Sequence, residues 1–524
     1  MSDLGWAGLL WLMVVAAGLV FVAFNRRRRV EPISRNLPVI GVAFVAALFV
    51  LAIQAARMQV FQQQVFARRI GIDPADGEVL ANPRLSIGDT TRMRGSISDA
   101  SGREIAWSED TGAFVRRRYG SADVAHVAGY FSPVLYGKDG LELAADEALT
   151  GGLSRSVVDH LLDALNIGGR GRENVQLTIV SEVQREAQSL LQGHIGAAVV
   201  VNVKSGAVIA LASNPVVDPS RLAAVDAAEI EAATAYWTEL VDDERRPLLR
   251  RSTLGLYTPG STFKVVTAAA AIDSALATPD SIYEDDGVFT VDGHTLIELN
   301  RPDDTVTQWS LTEGLAYSLN IVFAQVGMEL GPETLTRYAE SFGFGESVPF
   351  DIPVANSQVA SSDDFLESQP ALVDTAFGQG ELLTTPLHMA MVAAAIANDG
   401  VLMRPYLIDQ YLDPNGSVLE ARTPEIWKRA VQAGTASQVA QMMVVAVEGG
   451  NSGGAYVPGL TIGGKTGTAE TGDGDPHAWF IGFGGNPAPE YAVSVVLEHG
   501  GSGGGIPSTI GGSLLSLAIN SRVS

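Results

Sequence analysis

Two uninterrupted apolar stretches open the chain, residues 4–24 and 37–56. Each holds about twenty uncharged residues and, at ~1.5 Å per residue, reaches ~30 Å, the depth of a bilayer core. Neither has a polar face, which disfavours a helix buried in a soluble core. A cleaved leader is disfavoured because the positive charges follow the first stretch instead of preceding it. Five arginines crowd the loop at 25–36, and none stands in the tail Met1-Ser-Asp3. The positive-inside rule places that loop in the cytoplasm, and everything after residue 57 outside it. The pattern predicts a plasma-membrane protein with two spans and an extracytoplasmic body.

Beyond the spans the periodicity changes. Residues 93–99 and 103–107 alternate apolar and polar around a Ser-Gly turn, which predicts short strands. Residues 58–150 read as a β-rich, irregular spacer, followed by a linker near Gly168-Gly-Arg-Gly-Arg-Glu173. A helical pattern covers 180–194, and strands at 196–203 and 207–212 are joined by a Lys204-Ser-Gly206 hairpin. Helical, loop-rich sequence runs to about 448, and strands return at 461–469, 479–484 and 491–497. Strands at both ends of a helical insert predict one antiparallel sheet with helices on both faces. The expected fold is α+β and multidomain: a membrane anchor (1–57), a pedestal (58–173) and a larger domain (174–524).

Composition narrows the chemistry. The formal charge of −24 argues against nucleic acid as a partner. The absence of cysteine excludes disulfides, cysteine nucleophiles and thiolate metal sites. Lysine occurs only at 138, 204, 264, 428 and 465, so a lysine inside a motif carries weight. One of them is ambiguous. Gly459, Gly464, Lys465 and Thr466 satisfy the nucleotide-binding pattern G-x-x-x-x-G-K-[ST]. That loop needs a strand before it and a helix after it. A loop precedes this stretch, and Gly467 and Gly472-Asp-Gly-Asp-Pro476 follow it, so Lys465 is expected on a strand beside a cleft.

Ser261 and Lys264 lie three residues apart where a helix begins after Pro259-Gly260. Serine is a weak nucleophile until a base takes its proton, and a buried lysine of lowered pKa can be that base. The unpaired N–H groups of a helix N-terminus suit a developing oxyanion. Further on stand Ser318-Leu-Asn320, a hydroxyl that can relay a proton and an amide that can hold a carbonyl, and Lys465-Thr-Gly-Thr468, a carboxylate-binding edge. Gly467 is expected to let a substrate backbone approach closely. Each motif alone is weak, whereas the three in this order are specific.

In these motifs the chain resembles the class B penicillin-binding proteins, membrane-anchored D,D-transpeptidases of peptidoglycan synthesis. The flanking residues agree: Leu256-Tyr-Thr-Pro-Gly260, Phe377-Gly-Gln-Gly380, Thr385-Pro-Leu-His-Met-Ala390, His477-Ala-Trp-Phe480, and Arg94-Gly-Ser-Ile-Ser-Asp99 at the start of the pedestal. The resemblance implies a serine β-lactamase-like catalytic domain with Ser261 as acylated nucleophile, Lys264 as base, Ser318 as proton shuttle and Asn320 positioning the donor peptide. It implies that Lys465, Thr466 and Thr468 bind the terminal D-Ala carboxylate, with the N–H groups of Ser261 and Thr468 as oxyanion hole. Stem peptides and β-lactams would be ligands, a polytopic glycan polymerase of the shape, elongation, division and sporulation (SEDS) family a partner, and no metal or organic cofactor would be required. Two spans depart from the single helix usual in the family.

Other readings fit less well. Gly500-Gly-Ser-Gly-Gly504 matches a nucleophile elbow, but no Asp, Glu or His follows in 503–524, so Ser502 is expected in a glycine-rich turn. A class A β-lactamase needs Glu-x-x-Leu-Asn between the second and third motifs, and Glu298-Leu-Asn300 precedes Ser318. A penicillin sensor needs a cytoplasmic effector, and the loop at 25–36 is too short for one. A D,D-carboxypeptidase shares the first half-reaction and stays open.

Overall fold

A computed structural model of the chain describes residues 71–72, 79–80, 90, 92–151, 172–362, 364–472 and 474–521. The apolar stretches at 4–24 and 37–56, and most of the linker before residue 172, lie outside the described residues. Among the described residues no helix is long and apolar enough to cross a membrane. The chain divides into two units, 1–87 with 160–165, and 88–159 with 166–524. Of the first, the antiparallel pair Gly71–Ile72 and Val79–Leu80 is described.

The second unit is built on two sheets. A five-stranded antiparallel sheet runs in the order Val208–Asn214, Gly196–Asn202, Pro489–Leu497, His477–Gly485, Thr461–Ala469. Four of its strands are largely apolar because both faces are covered, whereas the edge strand Thr461–Ala469 is rich in glycine and threonine. Along one strand Ala197, Val199 and Val201 join the core on one side, while Ala198 and Val200 join the core on the other. Helices Ser181–Leu190 and Ile506–Asn520 cover the second side, and Pro386–Ala397 lies on the first. The helix Pro386–Ala397 is apolar on nearly every side, as a helix between two layers must be. Ala433–Glu448 packs against the edge strand Thr461–Ala469, and further out lie Lys264–Asp273 and a helix from Asn320 to Ser341 that is kinked at Gly331-Pro332.

The second sheet has six strands, ordered Val418–Ala421, Ile408–Leu412, Asn174–Leu177, Ile97–Ser98, Glu104–Asp110, Val115–Tyr119. The expected strand at 93–99 shrinks to Ile97–Ser98, and the one at 103–107 lengthens to Glu104–Asp110. The insert between residues 212 and 448 is less helical than its pattern suggests. It carries the pairs Ile282–Glu284 with Gln308–Ser310 and Val288–Val291 with His294–Ile297, and it lends Ile408–Leu412 to the pedestal sheet. These strands are short and half exposed, so their alternation is too brief to read.

A buried ionic cluster holds the pedestal. The Glu142 carboxylate is fully buried and accepts from Arg94, Arg117 and the Tyr119 hydroxyl. Burial alone would raise its pKa, but the two guanidiniums outweigh it and hold the carboxyl below its ordinary value.

Candidate active site

Ser261 sits in a single 3₁₀ turn, Gly260–Phe263, that runs directly into the helix Lys264–Asp273. The expected α-helical first turn is therefore a tighter 3₁₀ turn. Gly260 has φ +56°, and its N–H donates to the Gly378 carbonyl at 2.9 Å. Gly378 has φ +96°, and a Cβ there would stand 1.8 Å from the Gly260 oxygen. Only glycine allows this approach. From the sheet side, the Trp479 indole N–H donates to the Thr258 carbonyl at 3.0 Å. The serine loop is thus gripped between Phe377-Gly-Gln-Gly380 and the last two strands of the sheet, His477–Gly485 and Thr461–Ala469.

Ser318 ends the helix Leu311–Tyr317, whose start is fixed by a capping box between Ser310 and Glu313. Its backbone is left-handed, φ 65° and ψ 38°, which a serine adopts only when its surroundings impose it. The reversal begins the next helix at Asn320 and turns Ser318 and Asn320 toward the serine helix. Lys465 lies inside the nine-residue edge strand Thr461–Ala469, which is followed by another strand at His477 and not by a helix. The nucleotide-loop pattern is thus a strand.

Two buried amines meet one hydroxyl. Lys264 Nζ donates to the Ser318 carbonyl at 2.7 Å, to Asn320 Oδ1 at 2.8 Å and to Ser318 Oγ at 3.4 Å. Lys465 Nζ donates to Ser318 Oγ at 2.9 Å and to the Thr466 carbonyl at 2.9 Å. With its lone pairs so engaged, the Ser318 O–H hydrogen is free to point into the cleft. Ser261 Oγ has no hydrogen-bond partner among the described residues. Burial pulls the Lys264 ammonium from 10.5 to about 7, opposed by the negative charge of Glu298. Burial, reinforced by the charge of Lys264, pushes Lys465 well below the ordinary lysine value. Two ammoniums sharing one acceptor in a dry site cannot both stay charged cheaply.

Ser261, Ser318, Asn320, Thr466 and Thr468 line a cleft of about 820 Å³. Gly467 does not line it. A Cβ on Gly467 would meet the Pro259 oxygen at 2.7 Å and Thr262 Cγ2 at 3.0 Å. The space this glycine leaves is filled by the serine loop, so the close approach expected of a substrate is made by protein. Ser502 lies on the cleft rim ahead of the turn at 503–505 and accepts from the Gly504 N–H at 3.3 Å.

Two contributors fall outside the three motifs. Glu298 is buried, and its carboxylate accepts from the backbone N–H of Leu299, Asn300 and Ile321. The Asn300 side chain donates to the Ser318 carbonyl at 3.1 Å. In the sequence the pair signals only a β-lactamase element standing in the wrong order. No local pattern announces a contact with residues about twenty positions away.

The model of the penicillin binding protein transpeptidase domain matches residues 196–516, and that of the penicillin binding protein A dimerisation domain matches 94–174. The chain is 34% identical to peptidoglycan D,D-transpeptidase PbpA of Mycolicibacterium smegmatis over 458 residues, covering 84% of this chain and 91% of that one. It is 28% identical over 454 residues to stage V sporulation protein D of Bacillus subtilis, covering 79% and 66% respectively. Among solved structures, penicillin-binding protein A of M. tuberculosis, as its ceftriaxone acyl-enzyme, superposes with TM-score 0.75 at 30% identity, covering 83% of this chain and 100% of that one. The D,D-transpeptidase domain of a peptidoglycan glycosyltransferase from Eggerthella lenta gives TM-score 0.72 at 31% identity, covering 82% and 99%. The chain belongs to the penicillin-binding protein transpeptidase family, as a class B member with a dimerisation-type pedestal ahead of its catalytic domain. It is a serine acyltransferase of the D,D-transpeptidase type.

Proposed function

We propose that this chain cross-links peptidoglycan stem peptides through an ester on Ser261. The observation that carries this is the convergence of Lys264 and Lys465 on the Ser318 hydroxyl at the wall of the Ser261 cleft. Lys264 takes the Ser261 proton, and Ser261 Oγ bonds to the carbonyl carbon of the penultimate D-Ala. The proton passes through Ser318 to the amide nitrogen, the C–N bond breaks, and D-Ala leaves. An amine of a second stem then attacks the ester carbonyl carbon, a new C–N bond forms as the C–O bond to Ser261 breaks, and a proton from the acceptor amine restores the Ser261 hydroxyl. Asn320 orients the donor peptide, and Lys465, Thr466 and Thr468 hold its terminal carboxylate. The N–H groups of Ser261 and Thr468 receive the oxyanion. Gly467 serves this edge as the spacer that lets the serine loop approach.

β-Lactams acylate Ser261 because they present the same carbonyl and carboxylate. In the full chain, spans at 4–24 and 37–56 anchor the body outside the plasma membrane, with the pedestal and catalytic domain divided near residue 173. A SEDS-family glycan polymerase supplies the strands that are joined, in cell elongation or division. The test is a stem pentapeptide offered with and without a D-amino acid acceptor. Release of D-Ala together with an acceptor-linked product supports transpeptidation. Release with hydrolysed product alone, whatever the acceptor concentration, makes the enzyme a carboxypeptidase.

A further inference from the structure

We infer that Glu298 and Asn300, outside the three motifs, are positioning residues that hold the base Lys264 by clamping the left-handed turn at Ser318 from behind. Both leave the end of the strand His294–Ile297, and the Glu298 N–H is tied to the Gly287 carbonyl at 3.0 Å. From there they grip the turn at two points. Glu298 accepts from the Ile321 N–H at 3.0 Å, at the first turn of the helix that starts at Asn320. A carboxylate there complements the helix dipole and fixes where the helix begins. Asn300 Nδ2 donates to the Ser318 carbonyl at 3.1 Å, the same oxygen that receives Lys264 Nζ at 2.7 Å. The remaining close acceptor of Lys264, Asn320 Oδ1, is carried by the residue next to Ile321. Both short contacts of the base therefore rest on a turn that residues 298 and 300 hold in place.

The clamp also sets the charge around the base. The charged groups that face Lys264 are Glu298 from this segment and Lys465 from the sheet edge. Asp285 and Arg301 flank Glu298. The rings of Phe323 and Phe377 lie 5.4 and 6.0 Å from Nζ. Glu298 is thus the acid that stabilises the ammonium form, against the burial that expels it.

This inference rests on the reading of Lys264 as the base of acylation. Its test is the second-order rate constant for acylation by fluorescent penicillin, measured from pH 5 to 9 on the full chain and on Glu298→Gln, Glu298→Asp and Asn300→Ala. Glu298→Gln keeps the size and removes the charge, so the acidic limb should move about one pH unit lower. Asn300→Ala removes one arm and leaves the charge, so the plateau should fall about tenfold or more with the limb unmoved. Glu298→Asp withdraws the carboxylate by one methylene, and its plateau should fall with a limb nearer wild type. A merely structural role for Glu298 lowers the plateau and moves no limb, so a Glu298→Gln profile that scales onto wild type overturns the inference. Should Glu298→Gln not fold, acylation of Glu298→Asp and Asn300→Ala at the wild-type rate would overturn it. A Lys264→Arg variant that is acylated within tenfold of wild type refutes the prior reading of Lys264 as base instead, and leaves these outcomes distinguishable.

Discussion

The neutral form of Lys264 should set the rate of acylation. Lysine with its ordinary value of 10.5 is neutral in about one molecule in three thousand at pH 7, whereas an amine at about 7 is half neutral. Burial therefore supplies about three orders of magnitude in available base. Acylation by fluorescent penicillin should be half-maximal near pH 7 and fall tenfold for each pH unit below about 6. Lys264→Arg keeps the positive charge but cannot lose its proton, so its rate should drop by about a thousandfold at pH 8. The same burial carries a sign in stability. Between about 7 and 10.5 the unfolded chain holds the extra proton, so this site adds stability as pH rises, by up to about 1.4 kcal/mol per unit. Below 7 both states are protonated and the contribution is flat. The assay is covalent incorporation under excess drug, with folding checked by circular dichroism at each pH. A flat rate from pH 5 to 8, or an Arg variant within tenfold of wild type, would refute the reasoning.

Three other perturbations follow from the geometry. Ser318→Ala and Ser318→Gly both remove the shared hydroxyl and should lose acylation alike, but the glycine variant should be about 1 kcal/mol more stable in urea unfolding because the position is left-handed. Gly378→Ala places a Cβ 1.8 Å from the Gly260 oxygen at positive φ, so thermal unfolding should show a loss of about 3 kcal/mol or more, with acylation abolished. Glu142→Ala leaves Arg94 and Arg117 buried without their carboxylate and should cost about 3–5 kcal/mol by denaturant titration, while the folded fraction acylates normally. Because the Glu142 pKa is lowered on folding, its contribution is present above the unfolded value of about 4.5 and lost as pH falls through the folded one.

The catalytic sheet was legible at 196–203 as an apolar run buried on both faces, and at 461–469 because the glycines and proline that follow the lysine leave no room for a helix. The pattern at 196–203 became Gly196–Asn202, and that at 461–469 became Thr461–Ala469. The three motifs were legible because lysine is scarce in the chain and because the motifs, each weak alone, stand in a specific order. What stayed hidden depends on contacts distant in sequence. Nothing around Ile408–Leu412 announces that it completes the pedestal sheet against Asn174–Leu177. Gly378 reads as a loop glycine until the Gly260 carbonyl is seen against it. Glu298 and Asn300 act on a turn that only the folded chain brings near. Gly467 does serve a close approach, as its place in the motif predicts, but the partner is the Pro259 carbonyl.

The most direct measurement is mass spectrometry of the penicillin-treated protein, intact and after proteolysis. One drug-mass adduct on the peptide carrying Ser261, absent from Ser261→Ala, is the predicted result. An adduct on any other residue, or no adduct on folded protein at pH 8, would contradict the assignment of Ser261 as the acylated nucleophile.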